Sequence, residues 1–248
     1  MMYLTSTKVG HAELEAWRYP LPEDTVIFRI ERVVIHLDEP SDVSGADGSV
    51  EPRVVRFDMP PDQHRSSICD HIVCGGEFAD TEWSPDGSRM AFLSNSRDHK
   101  VATLRIADVE SGEVRTVMEE RVETFFESGV DAINWRVLWE DGEVLWWSQR
   151  SDWGHFYRYD LETGELIAPV TSGNWATLQL LHRDDRVLYF TGGGREPGDP
   201  YLERFYRVDM DRGGVTLLTP DSAHHTIQIA PSGEYFVDQF SAPDIPPK

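Results

Sequence analysis

Positive charge is what this chain has least of. Lysine occurs only at Lys8, Lys100 and Lys248, and Lys plus Arg total 23 against 44 Asp plus Glu, a formal net charge of −21. A surface of that sign repels nucleic-acid phosphates and anionic lipid headgroups over most of its area, so neither nucleic acid nor a membrane surface is expected as a partner. Arginine carries the remaining positive charge, a composition that fits a salt-adapted or GC-rich source. Long apolar runs are missing as well: no stretch approaches the roughly eighteen residues of a spanning helix. The first eight residues, Met-Met-Tyr-Leu-Thr-Ser-Thr-Lys, lack the basic, apolar and small-residue order of a signal peptide. The expectation is a soluble chain with no export address, cytoplasmic by default. Cysteine is confined to Cys69 and Cys74, too few for a disulfide framework. Gly-x-Ser-x-Gly occurs nowhere, which excludes a serine presented on a strained strand-to-helix turn.

Against these absences stands an apolar content of 40%, with 11% aromatic residues and eight Trp in 248 residues. That is enough to fill a large core and argues against disorder for most of the chain. Two phrases repeat. Asp-Val-Glu-Ser-Gly, Asp-Leu-Glu-Thr-Gly and Asp-Met-Asp-Arg-Gly start at 108, 160 and 209, a beat of 52 and 49 residues. The second phrase is Trp-Ser-Pro-Asp-Gly at 83–87, Leu-Trp-Glu-Asp-Gly at 138–142, His-Arg-Asp-Asp-Arg at 182–186 and Ala-Pro-Ser-Gly-Glu at 230–234. Each copy of the latter precedes an apolar run, at 89–94, 143–148, 187–191 and 235–239. Asp-Gly supplies the positive φ of a short hairpin turn, and the leading Asp of Asp-x-x-x-Gly can accept N–H bonds within its own turn. A period near fifty built of short strands and turns points to an all-β fold, a β-propeller of four-stranded antiparallel blades.

The blade count is about four to five, so the propeller is partial or small. Val26–Leu37 alternates as a half-solvated strand, 38–52 is a loop, and 53–58 is a short strand. Three fuller units cover 76–118, 130–171 and 175–219, and a half unit runs from 224 to 241. Residues 1–241 thus read as blades, and 242–248, with three prolines, as a linker stub.

Several side-chain groups invite a chemical reading. Cys69, His71 and Cys74 include zinc-compatible ligands, but their spacing and the lack of a clear fourth ligand favour packed or partly exposed thiols. His224 and His225 point to opposite faces of a strand and cannot readily share one ion. Thr191-Gly-Gly-Gly-Arg195 lacks the Lys and following helix of a phosphate loop and reads as a long hairpin loop. Glu119-Glu120 resembles an amine clamp, yet its acidic surroundings favour a solvated inter-blade loop. Trp146 and Trp147, adjacent on a strand, are expected to pack against both neighbouring blades. Arg150 and Asp152 are expected to pair and lock a turn. No cofactor or metal site and no catalytic residue emerges.

Further stretches carry a resemblance: Trp17-Arg-Tyr-Pro20, Phe125-Phe-Glu-Ser-Gly129, Trp147-Ser-Gln-Arg-Ser-Asp-Trp-Gly-His-Phe-Tyr157, Val170-Thr-Ser-Gly-Asn-Trp175 and Glu203-Arg-Phe-Tyr-Arg-Val208. Together, over about 15–245, these resemble the later propeller blades of the dipeptidyl peptidase IV branch of the prolyl oligopeptidase family. The resemblance implies a propeller that gates and positions peptide substrate while an α/β-hydrolase domain, absent here, carries out acyl transfer. It also implies that the glutamate pair and arginine gripping a substrate amino terminus lie on earlier blades. On this reading Arg150, Asp152, Trp153, His155 and Arg195 are candidate contacts to substrate or to the hydrolase domain. The expected partners are a peptide, a hydrolase domain or a second copy that completes the ring. The alternatives are a stand-alone binding propeller and a subunit of a split peptidase.

Overall fold

The computed structural model describes residues 2–5, 11–16, 21, 23–44, 50–63, 67, 73–74, 77–129 and 132–248. Among them twenty strands and no helix form. Three two-stranded sheets come first: β1 (Met2–Thr5) with β2 (Glu13–Ala16), β3 (Val33–Ser44) with β4 (Val50–Arg56), and β5 (Val73–Cys74) with β6 (Glu77–Phe78). Three four-stranded antiparallel blades follow. The first holds β7 (Thr81–Trp83), β8 (Arg89–Asn95), β9 (Val101–Asp108) and β10 (Val114–Arg121). The second holds β11 (Arg136–Leu138), β12 (Glu143–Ser148), β13 (His155–Asp160) and β14 (Leu166–Pro169). The third holds β15 (Ala176–Asp184), β16 (Val187–Gly193), β17 (Arg204–Asp209) and β18 (Gly213–Leu217). A last pair, β19 (His224–Ile229) and β20 (Phe236–Ser241), packs beside the third blade. The fold is a partial β-propeller, with three complete blades flanked by two-stranded sheets.

Turn chemistry sets the blade register as the sequence reading requires. Asp108 Oδ1 accepts the N–H groups of Glu110 (3.1 Å) and Ser111 (2.8 Å), Asp160 those of Glu162 (3.0 Å) and Thr163 (2.7 Å), and Asp209 those of Asp211 and Arg212 (both 2.9 Å). These bonds favour the carboxylate form and lower all three pKa values. Asp86, which accepts from Ser84 and Ser88, is lowered to about 2. The glycine closing a phrase also meets the preceding blade. A Cβ on Gly112 (φ +76°) would lie 2.4 Å from the Arg56 carbonyl, and one on Gly164 (φ +70°) 2.0 Å from that of Val117, whereas Gly213 (φ +70°) faces open space.

Antiparallel connectivity sorts the loops. The turns β7–β8, β9–β10 and their equivalents share one face of the arc, the turn face. The loops β8–β9, β12–β13 and β16–β17, with the crossovers between blades, share the opposite face. The core lies between blades: Leu93, Leu104 and Trp135 with Trp146 and Tyr157 in one gap, and Trp147, Phe156, Trp175 and Phe190 with Tyr206 in the next. Trp146 and Trp147 therefore do serve opposite neighbours.

The expectations fail in the N-terminal part. The strand expected over 26–37 begins only at Val33 and continues to Ser44, into the segment read as a loop, and β4 begins at Val50 rather than 53. Residues 25–32 form no strand; Ile30 makes an isolated antiparallel bridge to Asp62, itself outside the named strands, and the Arg32 guanidinium is held by the Asp62 carboxylate (2.7 Å). Alternation alone could not separate a paired strand from an unpaired segment. Cys69, His71 and the Trp17–Pro20 segment lie outside the described residues, and of Cys74 only the backbone is described.

Candidate functional site

All five sequence-predicted contacts sit on the crossover face, on or beside the loops β12–β13 and β16–β17. Arg150 does not pair with Asp152. Its guanidinium bonds Glu120 Oε2 (2.9 Å) and lies over the Tyr157 ring at 4.5 Å. Asp152 instead takes a left-handed backbone (φ 66°) and donates its N–H to the Gln149 carbonyl (2.9 Å), so the turn is locked through main chain. The pairing fails because the short loop directs Arg150 across to the preceding blade.

Glu120 is the residue that sequence reasoning placed wrongly. It lies in β10, nearly buried, and accepts from Trp146 Nε1 (2.6 Å), Ser148 Oγ (2.5 Å) and Arg150. A buried carboxylate with three donors is a clamp between the first and second blades, not a solvated loop. Neighbouring Glu119 stays on the outer part of the strand and pairs with Arg121 (2.7 Å). The available signal was positional: two strand residues alternate faces, so one of two adjacent glutamates must point into the gap.

His155 is buried, and its surroundings define its tautomer. Nε2–H donates to the Gly173 carbonyl (2.9 Å), leaving Nδ1 to accept from Thr171 Oγ1 (3.0 Å), whose oxygen in turn accepts the Phe156 N–H (3.1 Å). Burial lowers the imidazole pKa against the opposing Gly173 carbonyl, consistent with a neutral ring. Trp175 packs edge-on to His155 at 5.4 Å and lies under the Arg195 guanidinium at 5.8 Å, so the structure joins these two candidates through one indole. Arg195 also bonds Glu196 (2.6 Å) and caps Tyr206, whose hydroxyl burial raises to about 12. Trp153 remains partly exposed.

Other polar groups on the inner strands are structural. Asp80 accepts from the Ser67 N–H (2.6 Å), Ser67 Oγ (2.9 Å) and Trp135 Nε1 (2.9 Å). Glu82 accepts the Val137 N–H (2.7 Å), and its pKa is raised because burial outweighs that bond and nearby Arg136. His224 is exposed and His225 buried against Asp238; of the segment read as a hairpin loop, Thr191–Gly193 instead close strand β16, where Thr191 and Gly192 pair with Phe205 and Arg204, and only Gly194 and Arg195 lie in the loop before β17. The crossover face thus offers two partly exposed guanidiniums, Arg150 and Arg195, each stacked on aromatics, with an indole at Trp153. Such groups recognise carbonyls, carboxylates and apolar side chains. Among the described residues no cluster of three or more His, Cys, Asp or Glu is arranged to hold a metal ion.

The sequence profile described as the dipeptidyl peptidase IV (DPP IV) N-terminal region matches residues 1–247. Over 103 residues the chain is 28% identical to dipeptidyl peptidase 4 of Trichophyton equinum and, likewise, of Trichophyton rubrum. That stretch is 40% of this chain and 13% of each fungal protein. The fold is similar to the crystal structure of a Bacteroides ovatus protein assigned as a dipeptidyl aminopeptidase IV, with a TM-score of 0.62, 17% identity, and coverage of 98% of this chain and 34% of that one. For Porphyromonas gingivalis dipeptidyl peptidase 4 the TM-score is 0.58 and the identity 14%, covering 89% of this chain and 31% of that one.

Proposed function

Because the chain belongs to the dipeptidyl peptidase IV N-terminal region family, we propose that it is the non-catalytic propeller portion of a serine exopeptidase of that type. In this role it restricts access to the catalytic cavity and helps to position peptide substrate, while a serine, histidine and aspartate on an α/β-hydrolase domain carry out acyl transfer. The observation that carries the reading is the division of labour on the crossover face: Arg150, Trp153 and Arg195 offer recognition groups, and the histidine beside them, His155, is buried and neutral. A recognition surface without a presented base suits a gate. Contacts from Arg150, Asp152, Trp153, His155 and Arg195 to substrate or hydrolase domain belong to the same proposal.

The test is capture. Affinity-tagged chain is incubated with lysate of its source and probed with a fluorophosphonate that labels active serine hydrolases. The proposal expects a labelled α/β-hydrolase in the captured fraction, or one continuing in frame from this coding sequence. Stop codons on both sides together with an unlabelled capture would sink it. The second reading is a stand-alone binding propeller, favoured by the three complete blades with continuous inter-blade cores.

A further inference from the structure

Withdrawn arginines in this chain come with a carboxylate, with one exception. Arg158, 9% exposed, is paired with Asp211 and lies 3.5 Å from Glu143. The Arg32 guanidinium is held by Asp62 at 2.7 Å. Arg204, the first residue of β17, is 6% exposed and forms no ion pair among the described residues. Its one hydrogen bond runs from Nη2 to Ser222 Oγ and is 3.4 Å long. Nε and Nη1 make no bond among the described residues and reach solvent. A charged side chain so far withdrawn from water is costly unless an opposite charge accompanies it, and buried arginines are almost always paired for that reason. Arg204 is short of an anion.

The groups around it are donors. Arg204 pairs with Gly192 across the sheet, and a Cβ on Gly192 would lie 3.1 Å from the Trp175 indole and 3.4 Å from the Tyr206 ring. Arg195 spans the same two rings, at 5.8 and 5.7 Å. Tyr206 is 1% exposed, and its hydroxyl makes no hydrogen bond among the described residues. That hydroxyl lies close enough to Glu196, Arg204 and Arg195 for all three charges to act on it. Ser222, exposed on the crossover to β19, accepts from Arg204 and keeps its own hydroxyl proton to donate. The nearby carboxylates do not answer Arg204. Glu196 is taken up by Arg195 (2.6 Å), Asp199 caps the Tyr201 N–H (2.9 Å), and neither Glu203 nor Asp221 forms an ion pair with Arg204. Two guanidiniums against one carboxylate leave one positive charge in excess, in a chain whose net charge is −21.

We infer that Arg204 and Arg195, with the hydroxyls of Tyr206 and Ser222, form a binding site for a carboxylate carried by a peptide, either its C-terminal group or an acidic side chain. A planar carboxylate matches the guanidinium fork, and the two hydroxyls have protons to give its remaining lone pairs. Charge selects the class of anion. A monoanion balances the excess, whereas a phosphate monoester, at about −1.5 to −2 near pH 7, overshoots it. That the carrier is a peptide rests on the function proposed above; the carboxylate site rests on Arg204 and its surroundings.

Isothermal titration of the full chain, in low-salt buffer free of carboxylates, tests the site. The probes are acetate, N-acetyl-Ala-Ala with a free C-terminus, the amide of that peptide, N-acetyl-Ala-Glu amide, and sulfate. The expected result is binding of acetate and of at least one acidic peptide, with none of the neutral amide. Affinity should fall about tenfold or more in Arg204→Met and be partly kept in Arg204→Lys. The tighter of the two acidic peptides identifies the source of the carboxylate. Refusal of all three carboxylates overturns the site, as does tighter binding of sulfate or equal binding of the neutral amide. Acetate bound with both acidic peptides refused overturns the peptide carrier and leaves the site, so the two failures are told apart. Thermal unfolding without ligand separates binding from structure. Arg158→Met, which removes one partner of a buried ion pair, should lower the midpoint, whereas Arg204→Met should leave it level or raise it. An equal fall in both variants would make Arg204 a structural residue and overturn the proposal.

Discussion

At the scale of the residue, position within the gap between blades decides what a side chain is for. Glu120 holds Trp146, Ser148 and Arg150 at once, so Glu120→Ala leaves a guanidinium and an indole N–H without their partner. The expected cost is about 1 to 3 kcal/mol in urea unfolding, the range for leaving a buried donor unsatisfied, here the Trp146 indole N–H, because the Arg150 guanidinium is partly exposed and can be hydrated. Glu120→Gln, which keeps one acceptor, should cost less. The phrase-closing glycines give a second comparison. Gly164→Ala must place a Cβ against the Val117 carbonyl and hold a left-handed backbone, whereas Gly213→Ala bears only the backbone term. We expect a loss of about 3 kcal/mol or more for the first and about 1 to 2 kcal/mol for the second. Equal losses at the two sites would contradict the close approach of that turn to β10.

At the scale of the element, the tight turns connect sequence to pH response. Asp86, Asp108, Asp160 and Asp209 have folded pKa values below the ordinary 3.8 because turn donors stabilise the carboxylate. A depressed folded pKa contributes stability that is present above the unfolded value and lost as pH falls through the folded one. The thermal midpoint should therefore drop between about pH 4 and pH 2, and replacing the four by Asn should flatten that limb in a pH series followed by circular dichroism. At the alkaline end Tyr206, raised to about 12 by burial, works in the opposite sense: its contribution is full below 10 and is lost as pH rises toward 12. Tyr206→Phe should soften the alkaline decline. The turns were legible in the sequence because their chemistry is local: Asp and Gly within five residues satisfy one another, and β12 begins and ends where the apolar run after Asp-Gly predicts. The role of Glu120 and the partner of Arg150 were not legible, because both depend on a blade some thirty residues away. The 26–44 region misled for a related reason, since pairing in β3 is set by its neighbour β4 and not by its own alternation.

At the scale of the whole molecule, the net charge of −21 opposes the compact arc through self-repulsion. Salt at physiological strength screens charges beyond about 8 Å. The thermal midpoint should accordingly rise with added sodium chloride from low ionic strength, and a flat or falling trend would mean that inter-blade ion pairs, such as the Arg186–Glu143 contact at 3.1 Å, outweigh the repulsion. The division of the arc into a turn face and a crossover face has a practical corollary. Lengthening the turn at Gly112 or Gly164 on the first face displaces the Asp that caps it, Asp108 or Asp160, and moves the glycine off the strand it packs against. The loop beside Tyr201, 90% exposed on the second face, is tied within itself, Asp199 accepting the Tyr201 N–H (2.9 Å), and its tip stands clear of the packed gaps between blades. Foreign sequence spliced there, an epitope or a fluorophore-acceptor peptide, would ride on the molecule without entering its architecture, making that loop the natural handle for tethering or imaging it.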